Sequence, residues 1–266
     1  MLRLINIFPL AGTIFVLAAC TQQTLRKDGF EVHGIDVSHY QRQIDWPLVA
    51  TQDIHFAFVK ATEGETLRDP LFSRNWHAAK DAGLKRGAYH FFRPAASPEK
   101  QAKNFLEAHL FETGDLLPVL DVEVTDEVNA STLRKRVATW LRIVEKKCGA
   151  KPIIYTNQKF FNQYLAGHFD GYPVWVARYN SFLKPRLHKD SDWHFWQYGN
   201  QGKLKGIKGP VDFNVFNGSL QDLERFTLHR SPQPAAEPTA VPATVVQREA
   251  SPKRRNASQP AAAANP

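Results

Sequence analysis

Short apolar runs alternate with helical segments along much of the chain, and this alternation constrains the fold more than any other feature. Segments with apolar residues at helical spacing lie at 70–82, 98–111 and 131–148. Eight runs rich in β-branched and aromatic residues are typical of strands: HGIDVSHY, IHFAFVKATEG, LKRGAYHFF, LLPVLDVE, KPIIYTN, YPVWVARYN, WHFWQYG and VDFNVF. Alternating strands and helices predict a mainly parallel sheet, and helical patterns weaken between the last runs. We therefore expect an irregular eight-stranded (β/α) barrel of TIM type with reduced helices in its C-terminal part.

The predicted helices carry recognisable end signals. Ser97 before Pro98 is typical of a helix start, and Ser131 is the expected N-cap of the longest helix. Gly149 is expected to end that helix. Its core-facing side is predicted from five apolar residues at helical spacing: Leu133, Val137, Trp140, Leu141 and Val144.

Composition divides the chain into four parts. Residues 1–19 are predicted to be a signal peptide, 20–32 a short anchor linker and 33–230 the barrel domain. In 231–266 Pro and Ala dominate and aromatic residues vanish. Such a segment cannot bury enough apolar surface to offset its ordering entropy, so we expect a disordered tail.

The N-terminus has the layout of an export signal. One positive charge, Arg3, precedes an apolar run that ends in small residues. Its final LAAC resembles the bacterial lipobox, which implies that Cys20 carries a lipid and becomes the mature N-terminus. In a Gram-negative cell, Thr21 after that cysteine favours the periplasmic face of the outer membrane. An ordinary signal peptide cut near Ala19, or an uncleaved anchor, is the alternative, and the protein is exported in each case.

Charge and motif content limit the partners and cofactors. The formal net charge of +8 favours an anionic polymer or surface. Nucleic acid is not expected, because dense basic residues occur only at 253–255 and lack interleaved aromatics. The ten histidines show no metal-binding motif, so we expect neither a metal nor a cofactor. Cys148 is expected to be a buried structural thiol, and the chain is expected to be a monomer.

Four acids lie close to predicted strand ends on the first, middle and last strands. They are Asp36, Asp121, Glu123 and Asp212. Because side chains alternate along a strand, Asp121 and Glu123 share a face and Val122 points away from it. Any one of these acids alone is equally compatible with a solvated loop or a helix cap. If the barrel closes, however, all four converge on one mouth.

Gathered carboxyls have chemical consequences. Burial and like charges disfavour ionisation, so at least one pKa should rise. A protonated carboxyl beside an ionised one is what glycoside cleavage requires, namely an acid for the leaving oxygen and an anion for the oxocarbenium charge. The pattern therefore predicts a glycosidase.

The same motifs resemble those of a known family. GIDVSHYQ, FAFVKATEG, RGAYHFF, LPVLDVE, PIIYTN, VWVARYN, FWQYG and VDFNVF are together similar to glycoside hydrolase family 25, the Chalaropsis-type lysozymes. The resemblance spans about residues 33–217. It implies a flattened, irregular barrel that cuts the β-1,4 bond between N-acetylmuramic acid and N-acetylglucosamine in the glycan strands of peptidoglycan.

The resemblance also implies roles for individual residues. Glu123 matches the proton donor, and Asp121 matches an acid that orients the substrate's N-acetyl group. Asp36 and Asp212 match acids assigned to nucleophile, base or charge support, and inverting, retaining and substrate-assisted mechanisms all stay open. Eight residues match the family's sugar groove, with core packing as the alternative for the aromatic ones: Tyr89, His90, Tyr155, Trp175, Arg178, Tyr179, Trp196 and Gln197. Lys60 and Glu63 are expected to form a structural ion pair.

Two other functions compete with a lysozyme that acts from a membrane anchor. A peptidoglycan-binding lipoprotein that has lost catalysis would be expected to lack one of the acids. A secreted antibacterial toxin that degrades the wall would share the chemistry but would lack the lipobox. The chain also departs from the family pattern, because a lipid and a basic tail take the place of wall-binding repeats. We expect Cys20 to hold the enzyme at a membrane and the tail to reach toward anionic wall or lipid.

Overall fold

A closed eight-stranded barrel forms the centre of the protein. The computed structural model describes residues 26–108, 111–179, 183–189 and 191–230. Within these residues nine strands form one sheet, and it closes because β1 pairs with both β2 and β9. The two-residue β3 pairs with β2 alone and lies outside the barrel. The strands are β1 (Val32–Val37), β2 (Phe56–Glu63), β3 (Leu67–Arg68), β4 (Lys85–Phe91), β5 (Val119–Asp121), β6 (Ile153–Asn157), β7 (Val174–Ala177), β8 (Phe195–Gly202) and β9 (Val211–Phe216).

Strand direction changes at the end of the chain. The seven barrel strands before β9 pair in parallel wherever they meet, as the alternation of strands and helices predicts. By contrast, β9 is antiparallel to both β8 and β1. The first residues of β9 therefore lie at the same edge of the barrel as the last residues of its neighbours.

Helices surround the first half of the barrel and shrink after β6, which confirms the expected C-terminal reduction. They are α1 (Trp46–Ala50), α2 (Phe72–Asp81), α3 (Pro98–Ala108), α4 (Ala130–Cys148), α5 (Gln158–Phe160) and α6 (Leu220–Leu223). A π-helical turn at Phe161–Leu165 and 3₁₀ turns at His39–Gln41 and Glu224–Phe226 complete the set among the described residues. The sequence pattern did not predict α1, whose five residues are too few to show a periodicity.

The helix ends agree with the sequence in two of three cases. The Ser97 hydroxyl accepts a hydrogen bond from the Lys100 N–H at 3.3 Å, and Gly149 ends α4 with φ 72°. The prediction of Ser131 as N-cap was wrong. Asn129 caps α4, accepting from the Thr132 N–H at 2.9 Å, because an amide oxygen two residues earlier captures the same end of the helix.

Aromatic rings fill the barrel. Phe58 stacks on Trp175 with ring centroids 4.4 Å apart, and Phe195 packs edge-on against Phe58 at 5.3 Å. Gly34 and Gly87 leave room for these rings, since a Cβ at either position would lie 2.4–2.6 Å from a phenylalanine ring. The barrel interior is thus a packed core of side chains, as is typical of this architecture.

Several expectations concern segments beyond the barrel. The signal peptide 1–19, Cys20 and the tail 231–266 lie outside the described residues. Within the described part, no helix is both long enough and apolar enough to span a bilayer. Cys148 is buried at the end of α4, as predicted, and burial raises the pKa of its thiol to about 12. It therefore stays protonated and unreactive at neutral pH.

Candidate active site

An acidic cleft of about 260 Å³ lies at the edge of the barrel where the parallel strands end. All four acids predicted from the strand pattern line it: Asp36, Asp121, Glu123 and Asp212. Each reaches it for a local reason. Asp121 is the last residue of β5, and Glu123 follows two residues later while Val122 is fully buried. Asp36 is the penultimate residue of β1.

Asp36 and Asp212 face each other across two antiparallel strands. Their Cα atoms are register partners in the pairing of β1 with β9, so their side chains emerge on one face of the sheet. The two carboxyls are hydrogen-bonded to each other, with Asp212 as donor. Burial and the nearby Asp36 charge raise the pKa of Asp212 well above its usual range. Asp212 therefore holds the proton of this pair.

An amide network fixes the position of Asp36. Its Oδ2 accepts from Gln197 Nε2 at 2.7 Å and from Asn214 Nδ2 at 2.8 Å. Tyr155 and Tyr179 both donate to Gln197 Oε1 at 2.7 Å, which orients that amide. Burial raises the pKa of Asp36, and the two amide donors oppose this shift. The network thus supports an ionised Asp36 beside a protonated Asp212.

Asp121 and Glu123 form the second carboxyl pair, in which Asp121 donates to Glu123. Burial, and then the Glu123 charge, raise the pKa of Asp121 well above its usual range. Burial also raises the pKa of Glu123, although the hydrogen bond from Asp121 opposes the shift. Asp121 is 5% exposed, and its Oδ1 has no hydrogen-bond partner among the described residues. This pair shares a proton and keeps one acceptor atom available.

Lys60 is a cation in the wall of the cleft. Its ammonium lies 2.7 Å from Glu63 Oε2, which confirms the ion pair predicted from the sequence. The same ammonium lowers the pKa of both Asp121 and Glu123, against the effect of burial. The sequence did not predict this contact with the cleft, although Phe58 and Lys60 occupy alternate positions of one strand and therefore share a face.

Five of the eight predicted sugar-groove residues line the cleft. They are Tyr89, Tyr155, Trp175, Tyr179 and Gln197. Tyr179 is 40% exposed at the rim, whereas Trp175 is 2% exposed and donates its indole N–H to Asn214 Oδ1 at 2.8 Å. Trp175 therefore lies deep in the cleft, and Tyr179 lies at its rim.

The other three predicted groove residues do not line the cleft. His90 follows Tyr89 on β4 and so points to the opposite face, where it is fully buried between Thr62 and Gln101. Burial lowers the pKa of His90 to about 3, so it is a neutral packing residue.

The side chains of Trp196 and Arg178 also lie outside the cleft. Trp196 precedes Gln197 on β8, is fully buried on the outer face and donates its indole N–H to the Arg178 carbonyl at 2.9 Å. The Arg178 guanidinium donates to the Lys184 carbonyl at 2.7 Å and supports a loop. None of these three side chains lines the cleft in the structure: His90 and Trp196 alternate with the cleft-lining Tyr89 and Gln197 on their strands, and Arg178 follows the end of β7.

Part of the rim was not predicted from the sequence. Tyr40 and Gln41, in the 3₁₀ turn after β1, both line the cleft. Tyr40 is 75% exposed and packs on the His39 ring with centroids 4.2 Å apart. An exposed aromatic next to an acidic cleft offers a flat surface for a sugar ring. The signal was available, since GIDVSHYQ continues directly from Asp36 into this turn.

A cluster of metal-ligand residue types lies elsewhere, at the amino-terminal ends of β1 and β2. It comprises His33, Asp53 and His55. The far nitrogen of each imidazole accepts a backbone N–H, from Lys27 at 3.2 Å and from His33 at 3.1 Å. In the neutral tautomers the proton then sits on the nitrogen that faces Asp53. The Asp53 carboxylate lies 3.6 Å from His33 Nδ1 and 3.8 Å from His55 Nε2, so ligation of a metal would require both imidazoles to give up the proton on that side.

Comparisons with known proteins show the family to which the chain belongs. The family model of glycosyl hydrolases family 25 matches residues 35–207. The chain belongs to this family. It is 49% identical over 205 residues to the protein YegX of Escherichia coli (strain K12), covering 74% of each chain. It is 35% identical over 208 residues to Lysozyme M1 of Streptomyces globisporus, covering 72% of this chain and 70% of the lysozyme.

A solved structure shows the same fold. The family 25 glycosyl hydrolase of Bacillus anthracis superposes with a TM-score of 0.71 at 33% identity, covering 76% of this chain and 95% of that one. Family 25 membership and the carboxyl cleft together make this protein a glycoside hydrolase.

Proposed function

We propose that the protein is a lysozyme that hydrolyses the β-1,4 bond between N-acetylmuramic acid and N-acetylglucosamine in peptidoglycan. The single observation that carries the proposal is the grouping of four carboxyls into two hydrogen-bonded pairs at one cleft. Each pair contains a protonated and an ionisable member, as acid-catalysed glycoside cleavage requires. The similarity to Lysozyme M1 supports peptidoglycan as the substrate.

Glu123 is the proposed proton donor, and Asp121 controls its protonation. In the structure Asp121 donates to Glu123. When a substrate N-acetyl N–H donates to Asp121, it favours the Asp121 carboxylate and so transfers the shared proton to Glu123. Glu123 then protonates the leaving glycosidic oxygen as the bond from that oxygen to the anomeric carbon breaks. The more exposed acid thus becomes the donor only when substrate is present.

Asp36 and Asp212 are proposed to support the positive charge that develops on the sugar ring. Asp36 is held by two amide donors and needs no rearrangement to face the anomeric carbon. Proton transfer from Asp212 to Asp36, or its reversal, moves the negative charge between the two carboxyls while the net charge of the pair stays the same. Tyr89, Tyr155 and Tyr179 line the same cleft and would contact the sugar rings.

The decisive test is Glu123→Gln in the full chain, assayed on purified sacculi. Loss of the general acid should lower the rate of glycan cleavage by about 10³-fold. Glu127→Gln, at an exposed position four residues on, is the matched control and should retain full rate. Mass spectrometry of the released fragments should show N-acetylmuramic acid at the reducing end. N-acetylglucosamine there, or an undiminished rate in Glu123→Gln, would contradict the proposal.

The presence of all four acids also separates this proposal from a wall-binding module without catalysis. Such a module has no need to keep buried carboxyls, since each costs stability when it ionises. The gathering of Asp36, Asp121, Glu123 and Asp212 therefore favours the enzyme. An unchanged sacculus after prolonged incubation with wild-type protein would favour the binding module instead.

We also propose that the enzyme is exported and held at a membrane by a lipid on Cys20. Support comes from the export-type N-terminus and its LAAC ending. In a Gram-negative source the expected place is the periplasmic face of the outer membrane, within reach of the wall. Wild-type protein should partition with membranes and incorporate a labelled fatty acid, whereas Cys20→Ser should do neither. Labelling of the Cys20→Ser variant would contradict the anchor.

A further inference from the structure

A second and larger cleft, of about 880 Å³, opens beside the catalytic one. We call it the basic cleft and define it by its lining segments 42–47, 74–78 and 206–208. Two of these walls are joined by a hydrogen bond from the Asp45 N–H to the Gly206 carbonyl at 2.9 Å. Gly206 has φ 93°, and a Cβ there would lie 2.7 Å from the Asp45 carbonyl oxygen. The close approach of the walls thus depends on glycine.

The floor of the basic cleft is rigid. Trp46 is 1% exposed, and its indole N–H donates to Asn75 Oδ1 at 3.3 Å, which joins α1 to α2. Ile44 and Ile207 are also buried. The cleft is therefore a fixed feature of the fold, with an apolar base under a polar rim.

Three cations surround this base. Arg42, Arg74 and Lys208 all line the cleft with exposed side chains. Within the described residues none of the three takes part in an ion pair. The one acid in the wall, Asp45, uses its Oδ1 to cap α1 by accepting from the Leu48 N–H at 3.2 Å. The rim thus carries a net positive charge that attracts anions.

The basic cleft shares a ridge with the catalytic cleft. Gln41 lines the catalytic side and the next residue, Arg42, lines the basic side. Gln41 Nε2 donates to the Pro210 carbonyl at 3.2 Å, so the 3₁₀ turn after β1 is tied to the loop that leads into β9. That loop carries Lys208 on the basic side and reaches Asp212 on the catalytic side. A polymer bound at the acids therefore passes next to the cations.

We propose that the basic cleft binds the carboxylates of a peptide stem on the peptidoglycan strand that occupies the catalytic cleft. This inference rests on the proposed lysozyme function. Each muramic acid carries a short acidic peptide on its lactyl group, and an extended peptide spans about 3.3 Å per residue, enough to cross a ridge one residue wide. Guanidinium groups are suited to carboxylates because they can donate two parallel hydrogen bonds. The enzyme thereby prefers peptide-bearing glycan to bare glycan.

The test compares two substrates and two variants of the full chain. One substrate is soluble glycan that retains its peptides, and the other is the same glycan after an amidase has removed them. The test variant is Arg42→Gln/Arg74→Gln/Lys208→Gln. The control removes three exposed cations from α4, as Lys135→Gln/Arg142→Gln/Lys146→Gln, and so lowers the net charge by the same amount.

The expected result is a loss of kcat/KM of about tenfold on peptide-bearing glycan in the test variant, as for the loss of a few charge-assisted contacts. Its rate on stripped glycan and both rates of the control should stay within about twofold of wild type. Equal losses on both substrates, or no loss on either, would overturn the peptide subsite. A wild-type enzyme that cleaves neither substrate would instead refute the proposed function.

A binding measurement keeps the inference testable without turnover. Glu123→Gln protein should bind the peptide-bearing glycan more tightly than the stripped glycan, and adding the three cleft substitutions should abolish that difference. Equal affinity for the two glycans before those substitutions would overturn the inference.

Discussion

Two buried groups of charges in this protein are treated in opposite ways. In the amino-terminal part of β4, Arg86 is 1% exposed, and each of its three guanidinium nitrogens donates a hydrogen bond. Nε donates to Asp115 at 2.7 Å, one terminal nitrogen donates to the Trp76 carbonyl at 3.0 Å and the other to Glu112 at 3.0 Å. The ring of Trp76 lies 4.1 Å from the guanidinium carbon.

The catalytic cleft instead contains four carboxyls. Among the described residues that line it, Lys60 is the one cation, and its ammonium is already paired with Glu63. Each of the four pKa values is raised, with burial as the main cause. The two groups therefore differ in whether the buried charges are balanced by partners. Burial raises the pKa of Asp115 as well, but the Arg86 guanidinium opposes that shift and balances the carboxylate, whereas the cleft has fewer cations than acids and keeps protons on its acids at a cost in stability.

Removing the cation of the Arg86 group should have the larger effect on the free energy of unfolding. Arg86→Met leaves Asp115 buried without its cation, which should lower the free energy of unfolding by about 3–5 kcal/mol. For a chain of this size we expect the melting temperature to fall by about 10 °C. Calorimetry of the full chain measures the change.

The matched control for Arg86→Met is the double variant Arg86→Met/Asp115→Asn. Removing the stranded carboxylate should restore part of the lost stability, although burial of the remaining polar atoms still has a cost. A double variant that melts below the single one would show that the pair does not act as a charge-compensated unit.

Removing one carboxyl from the catalytic cleft should change the free energy of unfolding less than removing Arg86, and should raise it. The folded-state pKa of Asp121 lies above its unfolded value of about 3.9, so ionisation costs stability as the pH rises. Asp121→Asn removes this cost and can still donate to Glu123. We expect the free energy of unfolding to rise by about 1–2 kcal/mol at pH 7, with loss of activity.

The pH dependence of this gain distinguishes charge relief from better packing. As the pH falls through about 4 toward 3, the carboxyl of Asp121 becomes neutral in the unfolded chain as well as in the folded one, so the difference between variant and wild type should shrink toward zero. Melting curves of both proteins between pH 3 and pH 8 would measure it. A constant gain at all pH values would contradict the electrostatic explanation.

Much of the fold could be predicted from the sequence. Each of the eight apolar runs overlaps a barrel strand, and the apolar face of α4 is buried as its spacing requires. The four acids were also visible, because each interrupts or ends an apolar run. These features depend on local order, namely side-chain alternation along strands and helical periodicity, which a linear sequence records directly.

The sequence could not show which side chains of a strand face the cleft and which face away from it. His90, Arg178 and Trp196 lie in motifs that reach the site, yet their side chains point away from it or support a loop. Motif membership identified the strand, and only the closed barrel decided which of two neighbouring residues faced inward.

What the sequence by itself determined was therefore the set of strands, the family and the acids. The tertiary structure decided the pairing of Asp36 with Asp212, because that contact requires β9 to run antiparallel beside β1. The basic cleft likewise exists only in the folded chain, because its cations Arg42, Arg74 and Lys208 come from three distant segments. Contacts of this kind depend on long-range strand order and register, which no local pattern of residues encodes.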